Sequence, residues 1–212
     1  MKKLKKKAKK NNLIFLIFGL LFIVLGLLLL TFNFLQDKYS DYIEEEAIDN
    51  YYIKESEIEI ENEDTIIEED TKKISTKKVE KINYIATLKI PKINLEKGLV
   101  EPSSYMNNIK YGIQILDGSS MPDKDKTNLI LASHSGTARI SFFKNLDKLS
   151  IGDKAIVNYK NKNYNYKVVR IYDILKDGTA NLVYNKNKTN LILITCRYKT
   201  NNQIIIVCEL EK

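Results

Sequence analysis

NLILITC (residues 190–196), RYKTNN (197–202) and QIIIVCEL (203–210) form the stretch whose reading decides both fold and chemistry. Two runs rich in Leu and Ile, broken by a polar loop, predict an antiparallel hairpin. Cys196 stands at the exit of the first strand, where side chains face clefts. Cys208 stands inside the second, where an inert buried cysteine belongs. If the chain folds back about 197–202, Cys196 meets the start of the second strand. Cys208 then lies five residues along, roughly 16 Å away at about 3.3 Å per residue. A disulfide needs its Cα atoms within about 7 Å. The hairpin therefore predicts that Cys196 is a free thiol.

Short β-rich runs recur upstream: YIATLKI (84–90), NLILASH (128–134), KAIVNY (154–159) and YNYKVVRIYDI (164–174). Gly, Asn and Asp separate them. A hairpin turn is expected at Lys160 to Asn163. A helical stretch is expected between Pro102 and Gly112, capped by Ser103 and Ser104 with a Tyr105/Ile109 stripe. Ser141 to Leu149 reads as a further short helical turn. Six or more strands with little helix in about 130 residues predict a closed or half-closed all-β barrel over residues 81–212.

The rest of the chain divides by charge. The first ten residues hold seven lysines and no acid, and 37–70 hold fifteen acids against two lysines. Residues 81–212 hold 21 basic and 11 acidic groups. The net charge of +7 thus sums three unlike regions. Three arginines (Arg139, Arg170, Arg197) among 34 basic residues give little means of reading nucleic acid, and no such partner is expected. One His and two Cys exclude a zinc ribbon and a disulfide framework. No metal or cofactor is expected; Asp123 and Asp125 read as a solvated turn.

Leu13 to Phe32 carries no charge. At about 1.5 Å per residue it spans the roughly 30 Å of a bilayer's hydrocarbon core. It exceeds a signal peptide's apolar region and lacks a small-x-small cleavage site, so residues 13–34 are expected to be an uncleaved single-pass anchor. The basic tail, 1–12, places the N-terminus in the cytoplasm and the remainder outside. One span cannot enclose a path, which excludes a pore. Residues 35–80 lack Pro and Gly, and their mutually repelling acids predict an extended or loosely helical stalk. EIEIENED (57–64) alternates like a strand for a partner.

His134, the only histidine, ends an apolar strand and precedes Ser135-Gly136. Taken alone it reads either as a packed core residue or as an acid/base group. With a free thiol at another strand exit, the two make the minimum set for cysteine nucleophilic catalysis.

Four blocks in order resemble the sortases, membrane-anchored cysteine transpeptidases of Gram-positive surfaces. They are LKIPKINLEKGLV (88–100), ASHSG (132–136), FFKNLDKLSIGDK (142–154) and LITC (193–196). The resemblance implies an eight-stranded barrel with the Cys ending strand seven and the His after strand four. It implies a transpeptidase of the hydrolase class in which Cys196 forms a thioester at an LPXTG-like sorting signal. His134 serves as acid and then base, and a peptidoglycan precursor or other amine accepts the surface protein. Ala180, Asn181, Leu182, Val183 and Tyr184, in the segment before strand seven, and Thr195 are substrate-binding candidates. Two departures stand out. Ile192 replaces the first Thr of the family's T-L-x-T-C. Gln203 stands where the family carries an arginine that stabilises the oxyanion. Either Gln203 donates its amide there, or Arg139 or Arg197 swings in, or the chain is an impaired sortase-fold module that binds cell-wall or partner peptides. No Asp-Pro-aromatic lid precedes the barrel, unlike the pilus-polymerising type.

Overall fold

The computed structural model describes residues 2–61, 82–177 and 180–211. The chain forms two compact units, residues 1–43 and 44–212. Helix α1 runs Lys2–Glu61. In the first unit its residues from Phe15 to Leu35 present Phe, Leu and Ile side chains outward. Among the described residues this is the one helix long and apolar enough to cross a membrane.

The second unit is an eight-stranded sheet, as expected. Its strands are β1 (Tyr84–Ile90), β2 (Leu95–Val100), β3 (Gln114–Ile115), β4 (Asn128–Ala132), β5 (Lys154–Tyr159), β6 (Lys162–Leu175), β7 (Asn190–Cys196) and β8 (Asn202–Leu210). The order is β2-β1-β5-β6-β8-β7-β4-β3, and the edges β2 and β3 approach each other, so the barrel is nearly closed. β2 and β3 had no expectation of their own: one carries Gly98 and charges, the other is two residues long. Gly98 has a packing reason, because a Cβ there would stand 2.3 Å from the Tyr84 ring.

Period-two alternation separates two apolar faces. Leu88, Leu131, Val157, Tyr166, Leu193 and Ile206 belong to the inner cluster, which draws on every strand and is the barrel's core. Ile192, Ile194, Ile205 and Val207 form a second cluster on the outside of β7 and β8, joined by Ile130, Tyr172, Leu182 and Tyr184. These strands are buried on both faces, which is why they are apolar at consecutive positions.

Three local expectations change. The β5–β6 turn is tighter than Lys160 to Asn163. It consists of Lys160 and Asn161 alone, both at positive φ (48° and 56°), the geometry that matches strand twist in a two-residue hairpin. Residues 102–112 form consecutive turns instead of a helix. Side chains there capture the backbone: Asn107 Oδ1 accepts from Ile115 N at 2.7 Å, and Asn107 Nδ2 donates to Ile115 O at 2.9 Å. Asn108 and Ser104 likewise accept from Lys110 N and Met106 N. Such bonds offer the chain an alternative to the helical ladder. The turn expected in 141–149 is a short 3-10 helix, Leu146–Lys148.

The acidic segment differs most. Residues 44–61 are helical, and they belong to the barrel's unit. Of EIEIENED, residues 57–61 continue this helix rather than alternating as a strand, and 62–64 lie outside the described residues. Tyr51 is buried, and its hydroxyl donates to Asn158 Oδ1 at 2.9 Å. The Tyr52 hydroxyl bonds Thr87 Oγ1 at 2.9 Å, and Glu44 pairs with Lys97 at 2.6 Å. Two tyrosines thus turn the end of an acidic spacer into a docked element.

Candidate active site

Cys196 ends β7, and Gln203 lies directly opposite it on β8. The hairpin is the expected one: Cys208 pairs with Leu191, at the far end of β7, and both cysteines are free. Alternation puts Cys196 on the face of Ile192 and Ile194, and Gln203 on that of Ile205 and Val207. Both therefore lie on the outer face. Cys208 faces the core, where burial pushes its thiol up to about 12 and keeps it protonated.

His134 reaches the same place by a different route. β4 runs parallel to β7 with Ala132 opposite Ile194. Carried two residues on, that register sets His134 level with Cys196, neighbouring strands being about 4.8 Å apart. Two bonds hold the strands together beyond the last pair. Ser133 N donates to Ile194 O at 3.4 Å, and Thr195 Oγ1 donates to Ser133 O at 2.7 Å. The backbone of His134 is fixed as well, because its carbonyl accepts from Phe143 N at 3.0 Å. Phe143 is fully buried in the barrel core. The FFKNLDKL block thus anchors the histidine's loop, and the following Gly152, at φ 98°, closes the turn into β5.

The arginine candidates are separated. Arg197 donates from Nε to Asp173 Oδ2 at 2.6 Å, a bond that raises its pKa further. Asp173 lies on β6 between Tyr172 and Ile174, which face the outer cluster, so it points the other way. Arg197 is thus held by Asp173 while remaining beside Cys196. There it lines a cavity of about 270 Å³ with Thr195, Cys196, Phe143, Lys144 and Asp147. Arg139 is exposed in the loop after His134, and Arg170 is exposed on β6 opposite Val207. Thr195 is 4% exposed with its hydroxyl committed to Ser133, which makes it a tie between two strand exits. Ala180 to Tyr184 run along the outer face, with Leu182 and Tyr184 packed on the second cluster and Val183 exposed. Asp123 pairs with Lys160 at 3.0 Å. Among the described residues no three His, Cys, Asp or Glu gather as metal ligands.

A family model described as the sortase domain matches residues 88–211. The chain belongs to the sortase family. It is 28% identical over 109 residues to sortase D of Bacillus subtilis (strain 168), covering 51% of this chain and 52% of that protein. It is 25% identical over 152 residues to sortase A of Bacillus anthracis, covering 71% and 70%. The chain thus spans about half the length of one curated relative and more than two thirds of the other. Among solved structures, sortase C1 from Streptococcus agalactiae superposes with a TM-score of 0.55 at 31% identity, covering 63% of this chain and 70% of that one. The sortase family consists of cysteine transpeptidases that act on surface proteins, and its fold is the nearly closed barrel described above.

Asp173, Ser133 and Phe143 escaped the sequence reading as site-building residues. Asp173 is an acid inside a β-run, but its partner comes from a loop two strands away in the sheet order. Ser133 acts through its backbone. Phe143 was legible within its block, though not as the donor to His134.

Proposed function

We propose that the chain is a membrane-anchored cysteine transpeptidase in which Cys196 is the nucleophile and His134 the acid/base. The observation that supports this most is the parallel register of β4 and β7, which continued by two residues sets the backbone of the single histidine level with that of Cys196, the one cysteine outside the core. The Cys196 thiolate attacks the carbonyl carbon of the Thr–Gly bond in an LPXTG-like signal. His134, as imidazolium, protonates the departing amine and a thioester remains. The acceptor amine, a cell-wall precursor or other primary amine, then attacks the thioester carbonyl, gives its proton to His134 and displaces the Cys196 thiolate.

Gln203 is the oxyanion donor in this reading. Its side chain shares the outer face with Cys196, whereas the Arg197 guanidinium is already bonded to Asp173. An amide N–H aimed at the developing charge supplies what the family's arginine supplies, without the full charge. The same substitution favours a second reading, an impaired module that binds sorting peptides without turning them over.

The proposed organisation is a basic tail (1–12) in the cytoplasm, an anchor (13–34), and an acidic segment (35–80) leading outside to the barrel (81–212). The decisive experiment incubates residues 44–212 with an LPXTG peptide and hydroxylamine. A peptidyl hydroxamate is expected from the wild type and none from Cys196→Ala, with Cys208→Ala close to wild type. Equal product from Cys196→Ala would overturn the enzymatic reading. Peptide binding without product in the wild type would favour the impaired module.

A further inference from the structure

Fourteen residues, Lys176 to Thr189, connect β6 to β7, a long connection whose described residues form no strand or helix. Its two ends are tied by backbone and amide bonds. Lys176 N donates to Asn201 O at 2.9 Å. Asn190 Nδ2, fully buried, donates to Asn185 O at 3.0 Å and Lys188 O at 2.8 Å. The middle is tied by one side chain. The Tyr172 hydroxyl accepts from Val183 N at 2.8 Å and donates to Asn181 O at 3.3 Å. This hydroxyl does the work of a neighbouring strand, satisfying one donor and one acceptor of a segment that lies outside any strand.

The place of this tie matters. Tyr172 faces the outer cluster, the same face on which Cys196 and Gln203 lie, and Leu182 and Tyr184 pack beside it. Val183, between them, is 50% exposed. On β6, Ile174 pairs with Gln203, so Tyr172 stands two residues from the Gln203 register on the strand beside β8. We infer that Tyr172 is a positioning residue: its hydroxyl sets the height of Asn181–Val183 above the outer face and so shapes the groove that receives the sorting peptide. The inference rests on the proposed transpeptidase reading. It adds a specific residue outside the four family-like blocks, which acts through the loop without touching the reacting atoms.

Removing only the hydroxyl keeps the ring in the outer cluster and releases both loop bonds. Losing both bonds that fix the loop is expected to weaken peptide binding roughly tenfold. In Tyr172→Phe, KM for an LPXTG peptide should rise about tenfold, with kcat within twofold and Tm nearly unchanged. Tyr172→Ala should raise KM further and also lower Tm. An unchanged KM in Tyr172→Phe, or a loss confined to kcat, would overturn the inference.

A measurement independent of turnover keeps the two ideas apart. In a Cys196→Ala background, fluorescence titration with the same peptide should show about tenfold weaker binding when Tyr172→Phe is added. Amide exchange at Val183 should accelerate in that variant, because its acceptor is gone. Weaker binding and faster exchange, found beside a wild type that yields no peptidyl hydroxamate, would sink the transpeptidase reading while leaving Tyr172 as the determinant of the groove. Equal binding and equal exchange would reject the positioning role even in a fully active enzyme.

Discussion

The two faces of the β7–β8 hairpin make opposite use of the same kind of residue. On the inner face Leu191, Leu193, Ile204, Ile206 and Cys208 meet side chains from every strand and are sealed. On the outer face Ile192, Ile194, Ile205 and Val207 are covered by Tyr172, Leu182 and Tyr184, and the cover stops short of the strand ends. Closed packing leaves Cys208 inert with its thiol pushed up to about 12. The open margin leaves Cys196 half-buried opposite Gln203, with His134 just past the end of the parallel strand β4. The proposed chemistry sits where an apolar sheet runs out of cover.

The sharpest test of the open margin is His134→Ala. General acid/base help is worth roughly 10²–10⁴-fold, so kcat for peptide cleavage should fall by at least that with the barrel intact by circular dichroism. A loss below tenfold would return His134 to a packing role.

The sealed face should respond in stability instead. Leu193→Ala, at a fully buried position, should cost about 2–5 kcal/mol in urea unfolding. Leu182→Ala, half-buried on the outer cover, should cost less than half of that and instead weaken peptide binding. Equal stability losses would mean the outer cover is part of the core.

Gln203 and Arg197 test which side chain at the open margin serves the oxyanion. Gln203→Ala should lower kcat with saturating peptide by about 10²-fold or more, the scale of one lost oxyanion donor. Gln203→Arg should retain or raise activity. Arg197→Ala should change kcat severalfold at most, since its guanidinium is occupied by Asp173. A silent Gln203→Ala beside a crippled Arg197→Ala would reverse the assignment.

The smallest expected effect concerns the acidic segment. Residues 44–212 should fold as one cooperative unit. A chain beginning at residue 82 loses the burial of Tyr51 and the bonds of Tyr52 and Glu44. Burying one large side chain is worth about 1.5–3 kcal/mol, so Tm should drop by roughly 5–10 °C. An unchanged Tm would make 44–61 a mere spacer.

Much of this was written locally. The apolar runs gave six strands their places, and their flanking turns located Cys196 and His134 at strand exits. The hairpin register followed from a short loop and two runs of similar length, because neighbours in sequence pair cheaply. The twenty uncharged residues announced a membrane-length helix by length alone. Where a segment's partner was distant, the sequence was mute or misleading. Tyr51 and Tyr52 appear among acids as a solvated spacer, and only Asn158, Thr87 and Glu96, contributed by three different strands, reveal them as a dock. Residues 102–112 read as helical until Asn107 is seen bonding Ile115.

The amino-acid sequence by itself determined the inventory: one imidazole, one cysteine at a strand exit, a glutamine in place of an arginine, and an apolar run of membrane-spanning length. Tertiary structure decided which of these act together. A parallel pair between β4 and β7 joins residues about sixty positions apart, and no local periodicity encodes that choice of neighbour. The same holds for Arg197, which adjoins Cys196 in sequence yet is drawn to Asp173 on β6, while Gln203, seven residues away, faces Cys196 across the hairpin. Alternation assigns each side chain a face, and the closure of the barrel determines what that face meets.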